Sequence, residues 1–299
     1  MNDPVPLLGR WACVGALGAL AVLRAASGPA VLRIAVLALA GLAVLPVLGW
    51  LRTLWFAPAA AAGIAAWITA LLVHLEQSVP IAALAGTAAG ALIGAAAAAA
   101  TQRVGAALRP WVSLLITVVV WAVVLPRVGS SPAPPPLLFG VDLASDRALG
   151  ILAAVLLGVG VWVLGNLARA RAGRQIGAAG SSPTLALRSG APLPGVWLRA
   201  GVVSGVLASW AGILLALDVQ SVPGVAQFSP ATALTWLAVP LIGGPMWVSG
   251  VLVGALLVGG LPLITPGSEA AIAGIALAVG ALTRGQGIVG AVASRFGRP

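Results

Sequence analysis

Long uncharged segments follow one another along almost the whole chain, separated by short stretches that contain arginine, proline and glycine. Between Asp218 and Glu269, for example, no residue is charged. An α-helix needs about 20 apolar residues to cross the hydrocarbon core of a bilayer, and the 299 residues hold about ten such segments. The pattern therefore predicts an all-α fold, a polytopic transmembrane helix bundle of about ten spans.

The individual spans are predicted from the uncharged segments and from the residues that interrupt them. In chain order they cover residues 11–26, 30–51, 54–73, 79–100, 111–125, 148–168, 201–217, 230–242, 246–261 and 270–282. The proline-rich stretch 129–145 is predicted to be a loop, because its prolines would break a helix. Residues 1–299 are expected to form one integral-membrane domain.

Two further patterns describe the helices themselves. Pro46, Pro58 and Pro240 fall inside predicted spans and remove a backbone hydrogen bond there, which predicts broken helices of the kind that transporters use. Glycines also recur at intervals of four residues, which places them on one helix face and predicts close helix packing. These glycines are Gly86, Gly90 and Gly94, Gly201 and Gly205, and Gly250 and Gly254.

The composition excludes a water-soluble protein. Apolar residues make up 61% of the chain and charged residues 7%, with a mean hydropathy of +1.11, which leaves too few charges to cover a soluble surface. The net charge of +10 comes from arginines at the ends of apolar segments. Such arginines mark cytoplasmic loops and contact lipid headgroups, so the charge does not indicate a nucleic-acid partner.

The arginines also predict the orientation in the membrane. Their densest cluster defines residues 169–199 as a cytoplasmic loop between the sixth and seventh spans, and it contains Arg169, Arg171, Arg174, Arg188 and Arg199. Alternation of the spans then places both termini in the cytoplasm, and we expect a bacterial plasma membrane. Arg24 and Arg33 oppose this assignment because they flank the first external turn. Either their side chains extend to the membrane–water interface, or the first two spans have other bounds.

The chemistry missing from the sequence favours transport driven by another subunit. No predicted span has a charged residue near its centre, whereas ion-coupled carriers and pumps usually do. The chain has no phosphate-binding loop, one histidine and one cysteine, so we predict no catalytic residue, no metal site and no cofactor bound by this chain.

Two alternatives remain at this point. A stand-alone secondary carrier or channel would need intramembrane charged or polar sites, which the spans lack. A membrane-embedded enzyme without a transport role would need essential loop carboxylates, for which Asp142 and Asp146 are the candidates.

Several stretches resemble, in order, the permease subunits of branched-chain amino-acid ABC importers, in particular their longer type. Arg171-Ala172-Gly173-Arg174 resembles the family's Arg-Phe-Gly-Arg signature, and Arg188-Ser189-Gly190 its Ala-Leu-Gly. Further similarity lies in segments 56–72, Phe228-Ser229-Pro230, Ile242-Gly243-Gly244 with Trp247, and 283–287. One departure is clear: Ser181, Ser182 and Pro183 stand where the family has acidic residues.

The resemblance implies a permease that moves branched-chain or other hydrophobic amino acids by ATP-driven alternating access. It implies four kinds of partner: a second permease subunit, two ATPase subunits that use the ATP, an extracytoplasmic substrate-binding protein, and the lipid bilayer. The residues expected to couple the chain to the ATPase are Arg171, Gly173, Arg174, Arg188 and Gly190, with Gly173 allowing a turn. The candidates for the translocation path are Pro58, Trp67, Thr69, Trp236 and Pro240.

Overall fold

A computed structural model gives the fold of the chain. It describes residues 28–127, 137–138, 141–142, 146–188, 190–219, 225–264, 271, 274, 275, 278 and 286–295. Its helices are α1 (Gly28–Leu45), α2 (Ala57–His74), α3 (Val79–Thr101), α4 (Arg109–Val119), α5 (Asp146–Arg169), α6 (Arg171–Ser181), α7 (Pro183–Arg188), α8 (Leu193–Val219), α9 (Pro230–Gly243), α10 (Val248–Ile264) and α11 (Gly287–Arg295). Two-residue strands β1 (Leu137–Leu138) and β2 (Val141–Asp142) form a small antiparallel pair.

The fold is an all-α membrane bundle, as predicted. Within the described part of the chain, five helices are long and apolar enough to cross a bilayer: Ala30–Trp50, Ala57–His74, Val79–Thr101, Arg147–Arg169 and Leu193–Val219. Three shorter apolar helices among the same residues cover Arg109–Val124, Pro230–Gly243 and Val248–Leu261. These eight correspond to the second through ninth predicted spans. The first predicted span lies outside the described residues, and of the tenth the structure describes residues 271, 274, 275 and 278, all helical.

One proline marks a change of helix type, a second lies inside a continuous helix, and a third has a different role from the one predicted. α1 changes to a π-helical turn at Pro46–Trp50, and Pro240 lies inside α9. Pro58 is not in a helix interior but in the first turn of α2, which begins at Ala57. In the first turn a backbone N–H has no helical partner, so Pro58 costs no hydrogen bond and favours helix initiation. The prediction that Pro58 breaks the third span was therefore wrong.

The predicted loop 169–199 is mostly helical. Residues 171–181 and 183–188 form α6 and α7, and α8 begins at Leu193 rather than near residue 201. Val196 and Trp197 are buried in the first turns of α8, with Trp197 only 5% exposed. Packing of these apolar side chains extends the helix beyond the uncharged segment, which is why the charge of Arg199 was a poor guide to its start.

Helices α2, α3 and α8 pack closely against one another. Gly86, Gly90 and Gly94 are all buried on one face of α3, as the spacing of four predicted. The opposite face is lipid-facing in character, since Leu84 is 71% and Leu92 is 69% exposed. α3 therefore lies at the edge of the bundle, with its small residues inward and its large ones outward.

Backbone-to-backbone approach sets the distance between α3 and α8. A β-carbon at Gly205 of α8 would contact the carbonyl of Gly90 and come within 3.1 Å of the Cα of Ala91. Gly94 and Gly201 face each other's backbones in the same way. Lipid tails are as apolar as the helix surfaces, so this packing, and not a hydrophobic force, holds the helices together.

We predict that Gly205→Ala destabilises the bundle by about 1–3 kcal/mol, because a methyl group there must displace the backbone of α3. Thermal unfolding of the purified protein in detergent measures the effect. Gly195→Ala on the same helix is the matched control: its β-carbon would meet its nearest atom, Cγ of Pro192, at 3.5 Å, an ordinary contact. Equal melting temperatures for the two variants would contradict the close-packing account.

Candidate functional site

A non-helical break lies between the π-helical turn that ends α1 and the start of α2. Residues 51–56 connect the two, and Arg52 has a left-handed backbone with φ of 54°, which a non-glycine residue adopts at some energetic cost. Trp55 is 1% exposed, so the break reaches into the protein interior. Irregular backbone within a membrane bundle is tolerated where protein groups satisfy its polar atoms.

Three hydroxyl-bearing side chains form hydrogen bonds with polar groups of this break. The Trp55 indole Nε1 donates to Oγ of Ser204 on α8 at 2.9 Å. The backbone N–H of Phe56 donates to Oγ of Ser113 on α4 at 3.3 Å, and Oγ1 of Thr117 donates to the Phe56 carbonyl at 2.9 Å. Helices α4 and α8 thus hold the start of α2 from two sides.

α6 is an amphipathic helix with one face on the bundle. Gly173, Ile176 and Ala179 are buried, and Ile176 is fully so. Arg171 and Arg174 lie on the exposed face, and Arg174 donates to the carbonyl of Arg169. The helix therefore presents cationic side chains away from the bundle while its apolar side packs against it.

Two glycines of α6 allow the close packing. A β-carbon at Gly180 would contact the carbonyl of Trp50 and come within 2.8 Å of the Cα of Leu51, so α6 touches the backbone where the break begins. A β-carbon at Gly173 would contact the carbonyl of Leu167 at the end of α5. Gly173 thus serves helix packing and not the turn that the sequence suggested. The turn lies at Ala170, whose backbone is extended.

The remaining predicted coupling residues follow α6. Arg188 ends α7 and is exposed. Gly190 has a φ of +71°, a left-handed conformation that favours glycine, and it forms the turn toward α8. Arg199 donates from its NH1 to Oε1 of Gln175 on α6 at 3.3 Å, which joins α6 to the first turns of α8. The segment therefore forms one exposed arginine-bearing surface, and the role of its residues in coupling stays a prediction.

The five predicted path residues lie in different surroundings. Pro58 and Pro240 are buried. Thr69 is fully buried between α2 and α3, where its hydroxyl donates to the carbonyl of Ala82 at 3.4 Å. Trp67 is half-buried, and its indole nitrogen has no hydrogen-bond partner among the described residues. Trp236 lines a cavity of about 580 Å³. Their role in translocation stays a prediction.

Some contacts near these elements were not predicted from the sequence. Ser113, Thr117 and Ser204 were overlooked, although two hydroxyls four residues apart in an apolar span share a helix face and could have signalled a polar contact. The Arg109 guanidinium lies over the Trp197 ring at 4.7 Å, a cation–π contact between α4 and α8. The residues next to Arg109 and Trp197 in the sequence give no indication of that contact.

Two of the motifs that carry the resemblance have structural roles. In Phe228-Ser229-Pro230, Ser229 caps α9 by accepting from the Thr232 N–H at 3.2 Å, and Pro230 occupies the first turn. Phe228 is 1% exposed and packs against α2 at Gly63. At the other end of α9, Gly243 packs closely on Gly250 of α10.

Comparison with known protein families agrees with this architecture. The profile of one family, described as branched-chain amino acid transport system / permease component, matches residues 29–282. The chain belongs to this family: it is a multi-pass membrane protein and a permease component for branched-chain amino acid transport. Comparisons with curated proteins and with solved structures gave no significant match.

We predict that Ser113→Ala destabilises the protein by about 1–3 kcal/mol, because it leaves the buried N–H of Phe56 without its acceptor. Ser209→Ala is the matched control, since the Ser209 hydroxyl is equally buried but donates to the Gly205 carbonyl within its own helix. We expect the control to change stability by only a few tenths of a kcal/mol. Thermal unfolding in detergent separates them, and a larger loss for Ser209→Ala would refute the role given to Ser113.

Proposed function

We propose that this chain is the membrane-spanning subunit of an ABC importer for branched-chain or other hydrophobic amino acids, of the longer permease type. ATP is hydrolysed on separate subunits, and this chain is not itself an enzyme. The observation that carries the proposal is α6: an exposed cationic face on one side, and on the other a face packed against the break at Trp50. A helix with these two faces is suited to receive a force from outside the bundle and pass it inward.

The proposed transmission follows the contacts of the structure. ATP binding closes the ATPase pair and shifts α6. Because Gly180 touches the Trp50 carbonyl, a shift of α6 displaces the start of the break. The break is tied through Trp55 to Ser204 on α8 and through Phe56 to Ser113 and Thr117 on α4. Its displacement is therefore passed to α2, α4 and α8 together, and the movement of these helices relative to the rest of the bundle is the rearrangement that alternating access requires.

The charge of the α6–α7 surface specifies its partner. Residues 169–199 contain five arginines and no acidic residue, where the family has several acidic residues after its signature. The facing surface of the ATPase is therefore expected to be acidic. The other partners of the assembly are a second permease subunit, a second ATPase subunit and an extracytoplasmic substrate-binding protein. The chain would lie in the bacterial plasma membrane with both termini in the cytoplasm.

We predict that the double substitution Arg171→Gln and Arg174→Gln abolishes co-purification of ATP-binding-cassette ATPase subunits and lowers ATP-driven leucine uptake at least tenfold. Loss of two charge-assisted contacts of about 1.5–3 kcal/mol each is enough for that effect. Arg103→Gln is the control, because Arg103 is exposed in the turn after α3 and lies outside α6 and α7. Wild-type uptake by the double variant, or uptake without any ATPase, would rule out the coupling role.

The predicted orientation can be tested by cysteine labelling of intact cells in a Cys13→Ser background. Ser181→Cys, exposed at the end of α6, should react with a membrane-impermeant maleimide only after the membrane is opened. Gln77→Cys, exposed in the turn between α2 and α3, should react from outside. Labelling of Ser181→Cys in sealed cells would place α6 outside and end the proposal of ATPase coupling.

A further inference from the structure

A cavity of about 580 Å³ lies among α1, α8, α9 and α10. It is at the opposite end of α8 from α6: Arg199 near the start of α8 bonds to α6, whereas Asp218 near its end lines the cavity. In the orientation proposed above, this end faces the extracytoplasmic side. The volume falls within the range of about 300–1,000 Å³ that is usual for small-molecule sites.

The lining of the cavity contains both polar and apolar side chains. Its polar side chains are Arg33, Asp218, Gln227, Thr232 and Thr235. Its apolar side chains include Val36, Leu215 and Trp236. A small molecule that fits such a lining carries a positive charge, a negative charge and a hydrocarbon group.

Arg33 and Asp218 place opposite charges on the same cavity. Arg33 lies in the first turns of α1, a helix otherwise apolar, at the end where the positive-inside rule disfavours arginine. A charge in a span is costly to bury and usually has a functional or pairing reason. The structure gives that reason, since Arg33 and Asp218 line one cavity.

Beside the cavity, one buried side-chain acceptor has no donor among the described residues, and one backbone carbonyl lacks its helical donor. The Oε1 atom of Gln227 is buried, and among the described residues it has no hydrogen-bond partner. Pro240 lies inside α9 and has no N–H, so it cannot donate to the carbonyl of Trp236 four residues earlier. A buried acceptor such as Oε1 of Gln227 costs free energy until a donor binds, and an ammonium group offers three donors.

We propose that this cavity is a subsite for the amino-acid substrate on the extracytoplasmic side of the bundle. Arg33 binds the carboxylate, Asp218 and Gln227 bind the ammonium group, and Trp236 with Leu215 and Val36 contacts the aliphatic side chain. The proposal rests on the proposed function for the class of substrate. It adds the residues that recognise each end of the molecule.

The test uses the full-length chain in lipid nanodiscs, with Cys13→Ser and a reporter Thr235→Cys. Thr235 lines the cavity and is half-exposed, and its hydroxyl bonds within its own helix, so the substitution costs little. We expect L-leucine to slow the reaction of the reporter with N-ethylmaleimide. L-leucinol, which lacks the carboxylate, and 4-methylpentanoate, which lacks the amine, should each need at least a tenfold higher concentration.

Substitutions then test which residue binds each end of the ligand. Arg33→Gln should remove the preference for leucine over leucinol and keep the preference over 4-methylpentanoate. Asp218→Asn should remove the preference for leucine over 4-methylpentanoate and keep the preference over leucinol. Arg52→Gln is the matched control, since Arg52 lines another cavity, beside α6, and should leave all three concentrations unchanged. A merely structural role for Arg33 or Asp218 would weaken all three ligands together.

The outcomes separate this proposal from the previous one. If leucine gives no protection, or if each variant weakens the three ligands equally, the subsite assignment is overturned, while ATP-driven uptake by the complex can still be measured. If the ligand-specific losses occur but the complex shows no ATP dependence, the subsite is supported and the importer assignment fails.

Discussion

The hydrogen bonding of Trp55 and Phe56, the buried end of the break at residues 51–56, is the constraint on which the rest of the structure depends. The protein interior offers no water to a non-helical backbone, so the buried polar atoms of the break need partners within the protein. Ser113 and Thr117 on α4 satisfy Phe56, and Ser204 on α8 satisfies the Trp55 side chain. These bonds fix where α2 begins and how it lies between α4 and α8.

The break also lies between α6 and the helices of the bundle. On one side it meets α6, where Gly180 lets the helix approach the Trp50 carbonyl. On the other it leads into α2, which packs against α3 and α8; α8 ends at Asp218, beside the large cavity. Irregular backbone is easier to displace than a continuous helix, because it lacks the cooperative ladder of helical hydrogen bonds. In the proposed mechanism, α6 acts on the bundle at this break.

Part of the structure could be predicted from the pattern of apolar residues. Uncharged length predicted the helices α1 to α5, α9 and α10 within a few residues, and the spacing of Gly86, Gly90 and Gly94 predicted the inward face of α3. The first residues of the helices were harder to predict. Pro58 was assigned to a helix interior because an apolar run gives no sign of where the helical hydrogen bonds begin, and the start of α8 was hidden by the charge of Arg199.

The sequence by itself determined that the chain is a helical membrane protein of the branched-chain amino-acid permease family, because hydrophobic length and the order of short motifs are local properties. Only the tertiary structure decided that Ser113, Thr117 and Ser204 meet one break, that Gly173 and Gly180 serve packing, and that Arg33 and Asp218 share a cavity. Arg33 and Asp218 are far apart along the chain, and their meeting depends on how α1, α8 and α9 pack. No local pattern encodes that packing, since many arrangements of apolar helices satisfy the same hydropathy.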